Sequence, residues 1–143
     1  GAVIFGKFMA ITRVPFELAG WVGSLPLPPY AIMALIILIY LFGGCFMDSL
    51  AMIMLTVPIF FPVVQTLGFD PIWFGVVIVL VTEMGVITPP VGINVYVVHG
   101  IAKDIPLHTI FRGVFPYLLA LLACTGILLL FPQLALFLPG LIK

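Results

Sequence analysis

The sequence contains very few charged residues. Five Lys or Arg and five Asp or Glu make up 7% of its 143 residues, whereas soluble domains carry about 25%. Ten formal charges cannot cover the surface of a soluble domain of this size, so most of the chain must be surrounded by lipid or by other apolar protein. We therefore expect an integral membrane protein, with the lipid bilayer as its first partner.

An excess of one charge sign, a disulfide framework and catalytic motifs are also lacking. The formal net charge is zero, so there is no basic surface for nucleic acid and no polybasic anchor for anionic lipid. Cys45 and Cys124 lie in apolar runs and are interpreted as buried small hydrophobic side chains. Neither HExxH nor GxSxG occurs, which disfavours a membrane hydrolase using Asp48, Glu83 and His99. We expect no enzyme, no cofactor and no transition metal.

The first half of the chain consists of apolar runs divided by Gly and Pro, which predict an all-α fold. Residues 1–29 are expected to hold the end of a transmembrane helix and a short interfacial amphipathic helix containing Trp21. Residues 30–66 predict a re-entrant helical hairpin with its tip at residues 43–49. The 13 residues before that tip would form about 20 Å of helix, too short for a hydrocarbon core of about 30 Å.

The second half of the chain predicts two more membrane segments. Residues 70–102 are expected to form a discontinuous transmembrane helix, capped by Asp70 and Pro71 and broken at residues 88–92. Residues 107–143 are expected to form a C-terminal transmembrane helix. The chain opens within a hydrophobic run, without an initiator Met or a charged n-region, so we expect it to be a C-terminal piece of a longer polypeptide.

The break lies in the stretch EMGVITPPVGIN. Irregular backbone at membrane depth is tolerated only where it is buried in protein or lines a polar cavity. Pro89 and Pro90 have no N–H, so the carbonyl of Gly85 is expected to lose its helical partner. The hydroxyl of Thr88 and the amide of Asn94 add oxygen acceptors. Such a cluster suits a hard cation such as sodium, and the start of the second half-helix suits an anionic group.

The hairpin tip offers similar chemistry. Gly43 and Gly44 permit tightly turned backbone that exposes carbonyl oxygens. Asp48 is an ionisable residue within the membrane, which costs about 2.5–3.5 kcal/mol on insertion scales and therefore indicates a partner or a function.

Three stretches, in this order and spacing, resemble the C-terminal half of the large membrane subunit of tripartite ATP-independent periplasmic (TRAP) transporters: GGCFMDSLAMIMLTVPIFFPVV, GFDPIWFGVVIVL and GVITPPVGINVYVVHGIA. The resemblance covers residues 41–102. It implies one half of an inverted-repeat, elevator-type secondary transporter. It also implies uptake of small organic acids, such as dicarboxylates or sugar acids, coupled to sodium rather than to ATP.

The resemblance implies partners and a location as well. The partners are the missing N-terminal part of the same subunit, a small TRAP membrane subunit and a periplasmic substrate-binding protein that delivers the organic acid. The location is the bacterial inner membrane, crossed several times, with the loop from Lys103 to Arg112 in the cytoplasm. The chain departs from the family in two respects: the N-terminal hairpin is absent, and Glu83 occupies a position where a neutral polar residue is expected.

By the family pattern, the tip and the break supply the ion and substrate sites. The residues implied in sodium binding are Gly43, Gly44, Asp48, Gly85, Thr88, Pro89 and Gly92, and those implied in substrate binding are Asp48, Pro90 and Asn94. Glycine and proline would contribute mostly carbonyl oxygens and shape, whereas Asp48, Thr88 and Asn94 would offer side chains.

Other interpretations stay open at this point. One is a proton-coupled carboxylate transporter with Glu83 as the proton carrier. Another is a membrane assembly segment that does not transport, in which the Pro-Pro pair is a structural kink and Gly43–Gly44 is a close helix packing contact.

Overall fold

The computed structural model describes residues 1–89 and 91–141, and its regular structure there is entirely α-helical. Eight helices follow one another in the described part: α1 (Ala2–Thr12), α2 (Val14–Gly23), α3 (Pro29–Phe46), α4 (Ser49–Thr66), α5 (Pro71–Ile87), α6 (Ile93–Ile101), α7 (Leu107–Leu130) and α8 (Gln133–Leu141). The predictions that concern Pro90 and the last two residues lie outside the described residues.

Three of these helices, α3, α4 and α7, are long and apolar enough to cross a membrane. Large apolar side chains such as Leu35, Phe42, Tyr117 and Leu122 project from them without cover. The prediction of an all-helical integral membrane protein is confirmed. The re-entrant course of the hairpin and the elevator motion stay predictions.

A single residue in the left-handed conformation joins α1 to α2. Arg13 has φ 56° and ψ 12° and ends α1 while preceding the first residue of α2. Pro15 and Ala19 are the buried residues of α2, which packs on α4, whereas Phe16 and Trp21 are each 62% exposed. A helix with exposed aromatic side chains is therefore present where the sequence predicts the interfacial helix, whose placement at the membrane surface stays a prediction.

Only Met47 and Asp48 separate α3 from α4, and the chain reverses there, because Tyr40 before the turn contacts Thr56 after it. The predicted tip is wider, because it also includes Gly43 and Gly44, which lie in the last turn of α3. Each arm has 18 residues, or about 27 Å of helix, so the first arm is longer than the sequence predicts.

Helix α5 lies at the centre of the packing and contacts α3, α4, α7, α6 and α8. Its buried side chains include Trp73, Phe74, Val77 and Val81, the last two fully buried. The indole N–H of Trp73 donates to the carbonyl of Leu128 in α7 over 2.8 Å. As predicted, Asp70 caps this helix: one carboxylate oxygen accepts from the backbone N–H groups of Ile72 and Trp73.

The C-terminal segment is not one helix. The prediction of a single transmembrane helix over residues 107–143 is wrong, because α7 ends at Leu130 and α8 begins at Gln133. Pro132 has no N–H to continue the helical pattern, and Phe131 donates its own N–H to Ile127 as α7 ends. The prediction for the cysteines is half right: Cys45 is buried and Cys124 is exposed.

A polar contact joins the two arms of the hairpin. The Thr56 hydroxyl lies 2.6 Å from the Tyr40 hydroxyl and 2.7 Å from the Met52 carbonyl, and Tyr40 is fully buried. A hydroxyl carries one proton. Because a carbonyl only accepts, Thr56 donates to Met52 and accepts from Tyr40.

This contact predicts an energetic coupling between the arms. In a double-mutant cycle with Tyr40→Phe and Thr56→Val, we expect a coupling of about 0.6 kcal/mol, typical of hydrogen bonds between membrane helices. The measurement is the free energy of unfolding of the purified protein in detergent. Thr66→Val is the matched control, since the Thr66 hydroxyl donates within its own helix to Pro62. A coupling of Tyr40 to Thr66 as large as that to Thr56 would contradict the prediction.

Candidate functional site

The end of the hairpin meets the end of α5 through a pair of glycines. A β-carbon built on Gly85 would lie 2.7 Å from the α-carbon of Gly44 and 2.8 Å from the carbonyl oxygen of Leu41. A β-carbon built on Gly44 would lie 2.9 Å from the carbonyl oxygen of Thr82. Both are closer than real β-carbons come to other atoms, so α3 and α5 pack backbone on backbone at this point. The contact brings the end of α3 against α5, the two segments to which the family resemblance assigns the ion and substrate sites.

Gly43 differs from its neighbour. A β-carbon at Gly43 would meet only the flexible end of the Met52 side chain, which can move aside. The carbonyl of Gly43 accepts from the N–H of Met47 over 2.9 Å, so it is not left open as the sequence predicts. Of the two glycines, Gly44 is the one that the packing requires.

Asp48 begins α4 as its N-cap. One oxygen of its carboxylate, Oδ2, accepts from the N–H groups of Leu50 and Ala51 at 3.1 and 3.2 Å. The side chain is exposed, and its second oxygen is a further acceptor. Sequence reasoning missed this role, although an Asp directly before a helical run is a typical N-cap signal.

The end of α5 satisfies its own carbonyls. The N–H of Thr88 donates to Gly85 over 3.0 Å, and the Thr88 hydroxyl donates to Met84 over 2.5 Å. The carbonyl of Gly85 thus lacks the helical partner four residues on, as predicted, but it is not left open, because the bond from Thr88 three residues on replaces the missing one. Thr88 is extended, with φ −88° and ψ 137°, as expected for a residue before proline.

The chain re-enters a helix at Gly92, whose φ is 58°. A β-carbon there would lie 3.1 Å from Cε1 of Phe111 in α7 and 3.3 Å from the carbonyl oxygen of Thr88. Glycine is thus required both by conformation and by space. The ring of Phe111, which sequence reasoning did not single out, also packs edge-on against Tyr96, with 6.5 Å between centroids. Asn94, the second residue of α6, is exposed.

The acceptors near the glycine contact and at the break are hard oxygens, which suit a cation such as sodium. They are the carbonyls of Leu41, Thr82 and Gly85 and the hydroxyl of Thr88. The carbonyl of Gly85 already accepts one hydrogen bond, but a carbonyl oxygen has a second lone pair. Within the described residues, no group of three or more His, Cys, Asp or Glu could hold a metal ion.

Two further residues considered from the sequence lie apart from this contact. Glu83 is exposed on α5, on the side where Val76 and Val79 are also exposed. His99 is at the end of α6, where Nδ1 lies 3.0 Å from the carbonyl oxygen of Ile105 in the following loop.

A cavity of about 510 Å³ opens beside the break. Ile87 and Pro89 line it from the break, and Phe111, Arg112 and Phe115 are among the residues that line it from α7. Pro89 itself is exposed.

Comparison with known proteins identifies related membrane transport components. The family model described as "Tripartite ATP-independent periplasmic transporter, DctM component" matches residues 1–134. Over 99% of its length the chain is 40% identical to the sialic acid TRAP transporter large permease protein SiaM of Vibrio cholerae, covering 33% of that protein. Over 97% it is 36% identical to the C4-dicarboxylate TRAP transporter large permease protein DctM of Pseudomonas aeruginosa, covering 32%.

A third relative carries a different substrate name. Over 94% of its length the chain is 33% identical to the ectoine/5-hydroxyectoine TRAP transporter large permease protein UehC of Ruegeria pomeroyi, covering 31% of it. The chain thus spans about a third of the length of these curated relatives.

The glycine contact predicts a sharp difference between two substitutions in α5. Gly85→Ala should lower the free energy of unfolding by about 1–3 kcal/mol, the usual cost of overpacking. Gly75→Ala is the matched control, since nothing lies within 4 Å of a β-carbon there, and alanine favours a helix by up to about 1 kcal/mol. Unfolding of the purified protein in detergent measures both. Equal effects of the two substitutions would contradict the close contact.

Proposed function

We propose a transport function for this chain, which belongs to the DctM component family of tripartite ATP-independent periplasmic (TRAP) transporters. In this proposal it is part of the large permease subunit of a sodium-coupled secondary transporter. The proposed activity is import of a small organic acid across the bacterial inner membrane. The family membership and the apolar helices establish a membrane permease component. The coupling ion, the substrate and the complete assembly are the proposed part.

The observation that carries the proposal is the contact of Gly44 with Gly85. It sets the end of a helical hairpin against the end of a helix that is interrupted in an apolar protein. Oxygen acceptors from two chain segments lie around this contact, and a cation bound there would hold the segments together. Sodium is the proposed ion because these acceptors are uncharged carbonyl and hydroxyl oxygens, with Asp48 as the nearby carboxylate in the sequence.

The start of α6 supports a carboxylate-bearing substrate. The first N–H groups of a helix have no partner within it and favour negative charge. Gly92 and Asn94 are at this end of α6, and Asn94 is exposed. Sialic acid and C4-dicarboxylates, after which two of the relatives are named, both carry carboxylates, so we propose a small organic acid as the substrate class.

The tight packing of α3 on α5 supports a rigid moving unit. Two helices in backbone contact cannot slide past each other without separating, so the hairpin and the broken helix would move as one body against the rest of the subunit. That remainder, a small membrane subunit and a periplasmic binding protein that delivers the substrate are the proposed partners.

A second candidate keeps transport but changes the coupling ion. Glu83 is exposed on the side of α5 where Val76 and Val79 are also exposed, and a carboxyl group can take up and release a proton. It would then serve as the proton carrier of a carboxylate transporter. Uptake that continues without sodium and follows a pH gradient would favour this candidate.

Sodium-dependent thiol labelling of the complete transporter in liposomes tests the proposed site. Single cysteines replace Met47 at the hairpin turn and Val91 at the break, in a background without Cys45 and Cys124. Gly44 is unsuitable, since it has no room for a side chain. We expect sodium, but not potassium, to slow labelling at both positions.

Asp104→Cys, in the exposed loop before α7, is the control for this experiment and should react equally under all conditions. Each variant must still transport. If uptake follows sodium while neither position is protected, the ion binds elsewhere, and the break has a structural role only.

Asp48→Asn separates the role of this residue as the N-cap of α4 from its proposed role in sodium binding. Asparagine caps helices about as well as aspartate, so the free energy of unfolding should stay nearly constant. Removal of the negative charge should raise the sodium concentration for half-maximal uptake several-fold. Asp70→Asn, which removes the same charge from the N-cap of α5, is the matched control and should leave sodium dependence unchanged. Identical sodium dependence in Asp48→Asn and the parent protein would exclude Asp48 from the ion site.

A further inference from the structure

We propose that the cavity beside the break binds one anionic phospholipid, with an acyl chain in the apolar groove and the phosphate at Arg112. The groove is the 510 Å³ cavity described above. This inference goes beyond the proposed transport function, since the ligand is a component of the membrane rather than the cargo.

The size and lining of the groove suit a hydrocarbon chain. Its volume falls within the roughly 300–1,000 Å³ of small-molecule sites. The break contributes Ile87 and Pro89, and α7 contributes the side chains of Phe111, Val114 and Leu118. These side chains are apolar and can cover an acyl chain, but they offer no hydrogen bonds.

Arg112 is the charged residue among those that line the groove, and it is exposed. A guanidinium presents paired N–H donors that match the oxygens of a phosphate. Basic pockets between transmembrane helices are known to bind anionic lipid headgroups. A single cation at the edge of an apolar groove is therefore complementary to a ligand with one anionic end.

The same lining argues against a small organic acid in this cavity. A dicarboxylate or a sugar acid is polar over most of its surface, and burial of polar groups without partners costs free energy. Arg112 can pair with one carboxylate, but the remaining polar groups would face Ile87, Phe111 and Leu118. An amphiphile meets both parts of the lining without such a penalty.

Helix α7 presents apolar side chains beside the groove. Large side chains of the same helix, such as Phe115, Tyr117 and Leu119, are exposed, so the groove borders a surface that lipid can reach.

A ligand in the groove would contact the Phe111 ring, which packs against Gly92 at the break. Phe111 lines the groove and lies 3.1 Å from the β-carbon position of Gly92. A bound acyl chain would contact this same ring. Lipid occupancy is therefore expected to hold Phe111 against Gly92.

Photo-crosslinking in vesicles tests the site directly. The complete permease is placed in phosphatidylcholine vesicles containing a trace of photoreactive phosphatidylglycerol or, in a parallel sample, photoreactive phosphatidylcholine. After illumination, the labelled peptides are identified by mass spectrometry. We expect phosphatidylglycerol to label residues 111–118 several-fold more than phosphatidylcholine does.

Four variants separate charge, shape and folding. Arg112→Gln should remove the preference for phosphatidylglycerol, whereas Arg112→Lys should keep much of it. Lys103→Gln loses the same charge in the preceding loop, outside the groove lining, and should behave like the parent protein. Val114→Trp fills the groove without changing charge and should lower labelling by both lipids.

Failure of the lipid site can be distinguished from failure of the proposed sodium coupling. The lipid site would be overturned by equal labelling with the two lipids or by equal effects of Arg112→Gln and Lys103→Gln. It would also be overturned if the groove is not labelled because another protein segment covers it. Sodium-driven uptake is measured in the same vesicles. If uptake follows sodium while the groove shows no preference, the lipid site alone fails. If the preference holds while uptake ignores sodium, the proposed coupling fails and the lipid site stands.

Discussion

The packing of the hairpin depends on one contact in which backbone meets backbone. Gly44 and Gly85 leave no space for a β-carbon between α3 and α5, and this fixes both the distance and the rotation of the two helices. The end of the hairpin can then lie against the end of α5 without an intervening layer of side chains. Small residues allow the same close approach in membrane helices generally, where the hydrophobic effect does not drive helices together.

A second constraint is that polar backbone groups in apolar surroundings need partners. Nearby side chains supply these partners. Asp48 and Asp70 cap the starts of α4 and α5, and the Thr88 hydroxyl donates to the Met84 carbonyl in the last turn of α5. Thr82, fully buried, does the same by donating to Ile78 over 2.6 Å. The interrupted helix is therefore not a set of open acceptors. A cation bound there would have to share oxygens that already accept hydrogen bonds, or replace those bonds.

Local patterns in the sequence predicted the helices, the cap at Asp70 and the extended Thr88, because each depends on neighbours along the chain. The motifs also identified the family. They did not distinguish Gly44 from Gly43, since only the approach of α5 makes one indispensable. Nor did they single out Phe111, whose contact with Gly92 joins distant residues. The break at Pro132 was missed because proline can also be accommodated within a transmembrane helix, as Pro116 is in α7.

The joint at Arg13 has a mechanical consequence. Since a single left-handed residue connects α1 to α2, no flexible linker separates them, and both helices rest on α4. Helix α4, on which both pack, is the second arm of the hairpin. When bilayer thickness changes, membrane helices respond by tilting. The one-residue connection does not let α1 tilt independently of α2. A tilt of α1 must therefore either strain the backbone at Arg13 or also move α2 and the hairpin.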